Sequence, residues 1–461
     1  MREILLRLLL CCCSSTAAAW LAGGASRASV GQPLRRAGAQ GPRMVFNPLD
    51  EVKKAAEKAA AEVKGAAAEL VVQQKVAEKL ARAQEKYDIP EKYMSVLGGF
   101  FTSYMTEVYK AGNDMDKYEA LLSQLFQKVL ETVKEPYTFA PYHEAIRGTD
   151  ERSDFDYYAL GNEFATGVIN NDLSELVGLD KLDEIEARLD AGDNVVLLAN
   201  HQSEADPQIF SVLLDPIRPG FAEKTIFVAG DRVTTDMIAQ PFSMGRNLLC
   251  IFSKKHVDNP PELKSVKTKH NRNVMKQMQN LFKQGGKLIW VAPSGGRDRT
   301  DEAGRYQARL RLPVVACRLW RARRGGHCFS AFYVCLYTCQ VAEFDSKSIE
   351  MFRLMADKAG RTTHFYPLSM LTYPICPPPT QVGGSIGESR TVKWSPAGLY
   401  FGDRVDLSQY AEGCVVKGFP ANCDSGLSRD EAREALSWQS HKVVSHNYLK
   451  LEAALAEHLA G

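Results

Sequence analysis

Long apolar runs are the first thing missing from this 461-residue chain. Outside the interrupted Ile4–Cys13 stretch, no run approaches the ~20 residues of a membrane span, so no spanning helix is expected. Paired cysteines are missing too. The eleven cysteines are an odd number without a Cys-x-x-Cys pair; three stand together at Cys11 to Cys13, and four fall in an arginine-rich segment. That excludes a disulfide framework or a zinc site as the organising device and fits a reducing compartment. Acid is nearly absent from two stretches. Residues 1–49 carry six arginines against Glu3, a balance of +5, and residues 303–342 carry seven arginines and no acid, a balance of +7. The whole chain is only +2, so the remainder carries −10. A mildly acidic body argues against nonspecific nucleic-acid binding. Proline is scarce as well: residues 51–134 hold Pro90 alone and offer no convincing strand.

What is present begins with an Arg-, Ser- and Ala-rich opening of about 44 residues, the composition of an organelle transit peptide. The Ile4–Cys13 run competes as a signal-peptide core, but Arg7 interrupts it and Arg35-Arg36 suit a transit peptide better. Ala, Glu and Lys then dominate 51–87, and further helical patterns run over 92–111 and 114–134. These predict a small all-α helical bundle over residues 45–148, with plain packing preferred to a membrane-surface role for the first helix. At 45% hydrophobic content the chain can build ordinary cores in two or three units. Pro136, Pro141 and the polar stretch 147–154 mark a boundary.

Beyond it the texture changes to alternating helices and strands, predicting a larger mixed-sheet α/β domain over 149–461. A helix is expected over Leu179–Ala191, closed by Gly192. Strands are expected at Val195, Thr225–Val228, Leu248–Phe252, Leu288–Val291 and Phe365–Leu371. A helix over Glu262–Gln284 should present Leu263, Val266, Val274, Met278 and Leu281 on one stripe, with His270 a structural residue on it. The last helix starts near Ser428, where Glu431 gives a capping-box spacing.

Three polar elements stand at strand ends. Val195-Val-Leu-Leu-Ala-Asn-His201 breaks from an apolar run into a polar segment, with Asp206 five residues after the histidine. A carboxylate against one imidazole nitrogen fixes the tautomer and leaves the other to take a proton. Ser253-Lys-Lys-His256 follows the 248–252 strand, and Pro293-Ser-Gly-Gly-Arg297-Asp-Arg299 follows the 288–291 strand. Strands ending on one side of a sheet converge their loops, so Lys255, His256, Arg297 and Arg299 can form a cationic, phosphate-gripping cluster beside His201. Residues 246–299 hold twelve Lys and Arg against three acids. A solvated basic helix explains Lys264, Lys267 and Lys269 but not charges stacked at two strand ends. The other histidines (143, 327, 364, 441, 446 and 458) have no carboxylate or basic context and are read as structural.

These stretches, together with Val228-Ala-Gly-Asp-Arg-Val233, Pro241-Phe-Ser-Met-Gly-Arg-Asn247, Ile289–Arg299 and Tyr366-Pro-Leu-Ser369, resemble the soluble plastid glycerol-3-phosphate acyltransferases from about Val52 to the C-terminus. The resemblance implies a helical bundle before an α/β catalytic domain in the chloroplast stroma. It implies His201 as general base, Asp206 as its orienting partner, and Lys255, His256, Arg297 and Arg299 as the glycerol-3-phosphate site. The expected reaction moves a fatty acyl group from acyl-acyl carrier protein, or acyl-CoA, to the sn-1 hydroxyl, with no metal and no cofactor. The Arg246–Arg299 surface is the expected dock for the acidic carrier. Membrane relatives that acylate lysophosphatidate usually carry Glu-Gly-Thr where this chain has Pro293-Ser-Gly-Gly, which favours the plastid branch. A lysophosphatidate acyltransferase and a non-catalytic phosphometabolite-binding module are the rivals. The pattern breaks at residues 308–340, an atypical insertion rich in Arg and Cys, expected to be disordered and read as translated intron rather than as a regulatory or carrier-docking loop.

Overall fold

A computed structural model describes residues 48–87, 91–149, 151–253, 256–299, 341–379, 389–416, 419 and 426–459. The expected transit segment, Lys255 and the 308–340 insertion lie outside them. The chain divides into two units, residues 1–61 and 62–461; only the opening turns of helix α1 in the first unit are described. All that follows concerns the second.

Three helices lead the described residues: α1 (Pro48–Tyr87), α2 (Glu91–Lys110) and α3 (Met115–Lys134). Asp114 starts α3 by accepting from the Asp116 and Lys117 amides at 3.1 and 3.2 Å, satisfying donors that have no partner inside the helix. Next come α4 (Tyr157–Thr166), β1 (Glu175–Val177), α5 (Leu179–Asp190), β2 (Asn194–Ala199) and α6 (Asp206–Leu214). They are followed by β3 (Ile226–Gly230), α7 (Ala239–Met244), β4 (Asn247–Ile251), α8 (Lys264–Gln284) and β5 (Leu288–Val291). After residue 341 come α9 (Ser346–Ala359), β6 (Thr363–Leu371), β7 (Gly398–Phe401) and α10 (Arg429–Leu459). The expected capping box forms at α10: Ser428 N donates to Glu431 Oε2 at 2.8 Å and Glu431 N to Ser428 Oγ at 3.3 Å.

One seven-stranded sheet has the order β1-β7-β6-β2-β5-β3-β4. Strands β6, β2, β5, β3 and β4 are mutually parallel, while β7 runs antiparallel to β6. The sheet is therefore mixed, as the sequence predicts. The short strands β1 and β7 were not foreseen, because three or four residues are too few to show a period. Strand β2 is central, buried on both faces as in other parallel sheets. Val195, Leu197 and Ala199 point to one core; Val196 and Leu198 point to the other, with α8, α9 and α10.

The first core is continuous with the N-terminal helices. The Tyr104 ring of α2 stacks on Phe164 of α4 with centroids 3.7 Å apart, and its hydroxyl donates to the Phe164 carbonyl at 2.9 Å.

Three expectations change. Of the expected stripe, Val274, Met278 and Leu281 are buried on α8, but Leu263, just before the helix, and Val266, in its first turn, are 47% and 62% exposed. His364 has a carboxylate after all: Nε2 lies 2.8 Å from Asp193 Oδ2, a pairing between neighbouring strand starts that linear spacing hides. Arg246 is only 3% exposed. It donates to Ser211 Oγ at 2.6 Å and to Asn162 Oδ1, and it lies over the Tyr158 ring. It therefore cannot belong to a basic docking surface.

Candidate active site

The C-terminal ends of β2, β5, β3 and β4 share one edge of the sheet, and the polar loops foreseen in the sequence leave from them. The β2 loop is built first. Asn200 extends the pairing with β6 by its side chain: Nδ2 donates to the Met370 carbonyl and Oδ1 accepts from the Met370 amide, both at 2.8 Å. Gln202 Oε1 accepts from the Thr372 and Tyr373 amides at 3.0 and 3.1 Å. Between these two anchors the chain turns and lifts His201 to the surface, its side chain 25% exposed.

Asp206 opens α6 and is fully buried. Its carboxylate accepts from Gln202 N at 3.0 Å, Ser203 N at 3.1 Å and Thr372 Oγ1 at 2.6 Å, and Oδ2 lies 2.7 Å from His201 Nδ1. Four partners fill the acceptor sites of an ionised carboxylate, the condition for keeping a buried charge. With Nδ1 as the donor to Asp206, Nε2 is the basic nitrogen, and it has no hydrogen-bond partner among the described residues. The Trp290 ring meets the imidazole edge-on at 5.6 Å.

The β5 loop lies beside it. The Asp298 amide donates to the His201 carbonyl at 2.6 Å, and Asp298 Oδ1 accepts from Ala342 N at 2.9 Å. Burial, together with the nearby Asp206 charge, raises the Asp298 carboxyl well above the ordinary value despite the Ala342 amide. The Asn200 side chain also hydrogen-bonds to this carboxyl and, like the amide, opposes the rise. Arg297 NH1 lies 3.6 Å from Glu204 Oε2. Glu204 also accepts from Arg390, whose NH2 lies 2.9 Å from Asp236 Oδ1. Burial opposes the Arg390 charge, but two carboxylates outweigh it and hold the guanidinium protonated. Arg299 turns aside and donates to the Pro379 carbonyl.

His256 is farther out. Strand β4 stands two places beyond β5, about 10 Å at ordinary strand spacing, and His256 Nδ1 faces Asp231 Oδ1 at 3.5 Å.

The structure thus brings His201, Asp206 and Arg297 into one contact network, joins His256 to the same edge through the β4 loop, and sends the Arg299 guanidinium to the 379 carbonyl. Cys376 lies close by, but burial, with Glu204 beside it, pushes its thiol up to about 12, so it stays protonated and is no nucleophile. A cleft of about 490 Å³ elsewhere, lined by Glu69, Thr102, Glu107 and Lys110, contains no comparable base.

Residues 178–370 match the family model described as Acyltransferase, a span that contains His201, Glu204, Asp206, His256, Arg297, Asp298 and Arg299, while Thr372, Cys376 and Arg390 lie beyond it. The chain is 36% identical over 334 residues to the chloroplastic glycerol-3-phosphate acyltransferase of Arabidopsis thaliana, covering 72% of this chain and 62% of that one. It is 34% identical over 380 residues to the chloroplastic glycerol-3-phosphate acyltransferase ATS11 of Cucurbita moschata, covering 82% and 74%. This chain belongs to the chloroplastic glycerol-3-phosphate acyltransferase family. The solved 1-acyl-sn-glycerophosphate (LPA) acyltransferase of Thermotoga maritima is similar at 17% identity and a TM-score of 0.31, covering 64% of this chain and 78% of that one. The match spans less than two thirds of the Arabidopsis relative's length.

Within this glycerol-3-phosphate acyltransferase family member, sequence reasoning missed Glu204, Asp236, Thr372 and Arg390. Thr372 and Arg390 lie more than 150 residues from their partners, and no local spacing links them. Glu204 stands between His201 and Asp206, and a lone acid there was the available signal. Among the described residues, no helix is long and apolar enough to cross a membrane.

Proposed function

We propose that this chain transfers a fatty acyl group from a thioester to the sn-1 hydroxyl of glycerol-3-phosphate, with His201 as general base. The observation that carries the reading is the 2.7 Å His201–Asp206 pair on a fully bonded, buried carboxylate, in a chain of the family just named.

The steps follow from the chemistry. His201 Nε2 takes the hydroxyl proton as the oxygen attacks the thioester carbonyl. The tetrahedral intermediate collapses with loss of the thiolate, and the imidazolium returns the proton to that sulfur. Asp206 keeps the imidazole in the required tautomer and offsets its transient charge. General-base catalysis of this kind contributes about a hundred- to ten-thousand-fold. Lys255, His256 and Arg297 hold the phosphate, joined by Arg299 once it leaves the Pro379 carbonyl, so that the hydroxyl is fixed beside the base. Arg297 does so while sharing its charge with Glu204.

Acyl-acyl carrier protein is the preferred donor, with acyl-CoA the alternative. With Arg246 buried, the basic face available to an acidic carrier consists of Lys264, Lys269, Arg272 and Lys276 of α8, all exposed. The same reading assigns residues 1–44 to plastid import, 45–148 to the helical layer, 149–461 to the catalytic layer and 308–340 to an insertion, and places the protein in the stroma.

The test is acyl transfer to glycerol-3-phosphate from each donor, run beside His201→Ala. Turnover in the parent should fall at least about a hundredfold in the variant while glycerol-3-phosphate still binds. A parent that binds glycerol-3-phosphate without transferring acyl groups would instead favour the binding module.

A further inference from the structure

The turn carrying His256 is held from below by a residue whose sequence reads as an ordinary solvated lysine. Lys267, in the first turn of α8, is only 9% exposed. Its ammonium donates to the His256 carbonyl at 2.8 Å and to the Asn259 carbonyl, and it lies 5.2 Å from the centroid of the Phe252 ring. The turn has a second brace one helical turn on: Asn271 accepts from the Phe252 amide and donates to the Phe252 carbonyl, both at 2.9 Å. That neutral pair already fixes the start of the loop.

What Lys267 adds is charge. All its partners among the described residues are uncharged. The nearby carboxylates are engaged elsewhere, Asp258 with Lys264 at 2.8 Å and Asp231 with His256 at 3.5 Å. His270, on the next turn, spends its Nε2 on the Cys250 carbonyl at 2.8 Å. A cation withdrawn from water without a counter-charge is unfavourable and is normally retained only where an anion offsets it. In a poorly solvated setting its field reaches several ångströms with less screening than at a free surface.

We propose that Lys267 is a positioning residue for the substrate phosphate: it holds the His256 turn by two main-chain carbonyls and leaves beneath it a positive charge that the bound phosphate compensates. This rests on the acyltransferase reading. It also explains why a buried lysine, rather than a second asparagine, braces the turn.

Three full-length variants separate charge from bracing. Lys267→Met keeps the aliphatic stem and removes both donors and charge. Lys267→Gln keeps a donor without charge. Lys267→Arg keeps the charge. For each, kcat and KM for glycerol-3-phosphate are measured beside its dissociation constant by calorimetry and the thermal midpoint. The expected result is a KM and Kd raised on the order of tenfold or more in Met and Gln, with kcat within about threefold, and substantial recovery in Arg. Parental KM and Kd in Lys267→Gln would overturn the proposal, since the charge would then be idle. So would a common loss of kcat and thermal midpoint in all three variants, which is the mark of bracing alone. A parent that binds glycerol-3-phosphate without acyl transfer removes the acyltransferase reading, and the Kd comparison still decides the role of Lys267.

Discussion

Asp206 and Asp298 are two buried carboxyls beside His201, and their hydrogen bonding differs. Asp206 accepts from two amides, a hydroxyl and an imidazole, which suits a permanent anion. Asp298 has only the Ala342 amide and the Asn200 side chain to hold it, with Asp206 for a neighbour, and burial raises its pKa despite them. The sign of the linkage follows. The folded state keeps a proton that the unfolded chain releases near pH 3.9, so stability falls as pH climbs from there towards the folded value and levels off above it. Asp298→Asn removes that titration and retains an oxygen for the Ala342 amide. Chemical-denaturation midpoints between pH 5 and 8 should slope downward more steeply in the parent than in Asp298→Asn. Equal slopes would mean that Asp298 is ionised in the fold.

At the scale of elements, the active-site edge depends on how α4 seats against the N-terminal helices. Gly167 ends α4. A Cβ there would lie 2.6 Å from both the Tyr104 hydroxyl and a Tyr118 ring carbon, and Tyr104 is fully buried with its hydroxyl engaged. Tyr104 cannot retreat without opening its stack on Phe164, and Tyr118 packs edge-on against Tyr104. Gly167→Ala is therefore expected to lower unfolding stability by about 1–3 kcal/mol through overpacking, read as a fall in urea midpoint at unchanged slope. An unaltered midpoint would mean that the aromatic cluster yields easily. On the other side, Arg390 ties the segment after β6 to the β2 loop through Glu204 and to the β3 side through Asp236. The loops around His201 are thus held by an ion network of balanced charge as well as by the sheet.

At the scale of the molecule, the helical layer and the sheet share one continuous buried cluster that runs from Val72 and Phe100 through Phe164 to Phe210 and Phe401. Large aromatics each bury roughly 150–250 Å², so removing residues 1–148 strips several of them from one sheet face at once. A chain starting at residue 149 should aggregate or bind a hydrophobic dye, whereas one lacking only residues 1–47 should keep cooperative unfolding and turnover. A stable, soluble 149–461 fragment would show that the sheet has a sufficient core without the helices.

The sequence by itself determined the helix and strand periods, the α/β class, and the places where polar loops leave β2 and β5. Each of these is written locally: an apolar run that stops at Asn200-His201, a glycine pair before Arg297, a capping box at Ser428. Family membership was legible for the same reason, since its motifs are short and contiguous. The tertiary structure alone decided which charges are free to act. Arg246 and Lys267 look like surface cations in the sequence, yet one is packed under Tyr158 and the other under the His256 turn. Thr372 and Arg390 gain their places from strands and loops more than 150 residues away. Burial and counter-charge depend on what the fold brings alongside a side chain, and the fold selects those neighbours from the whole chain rather than from the next few residues.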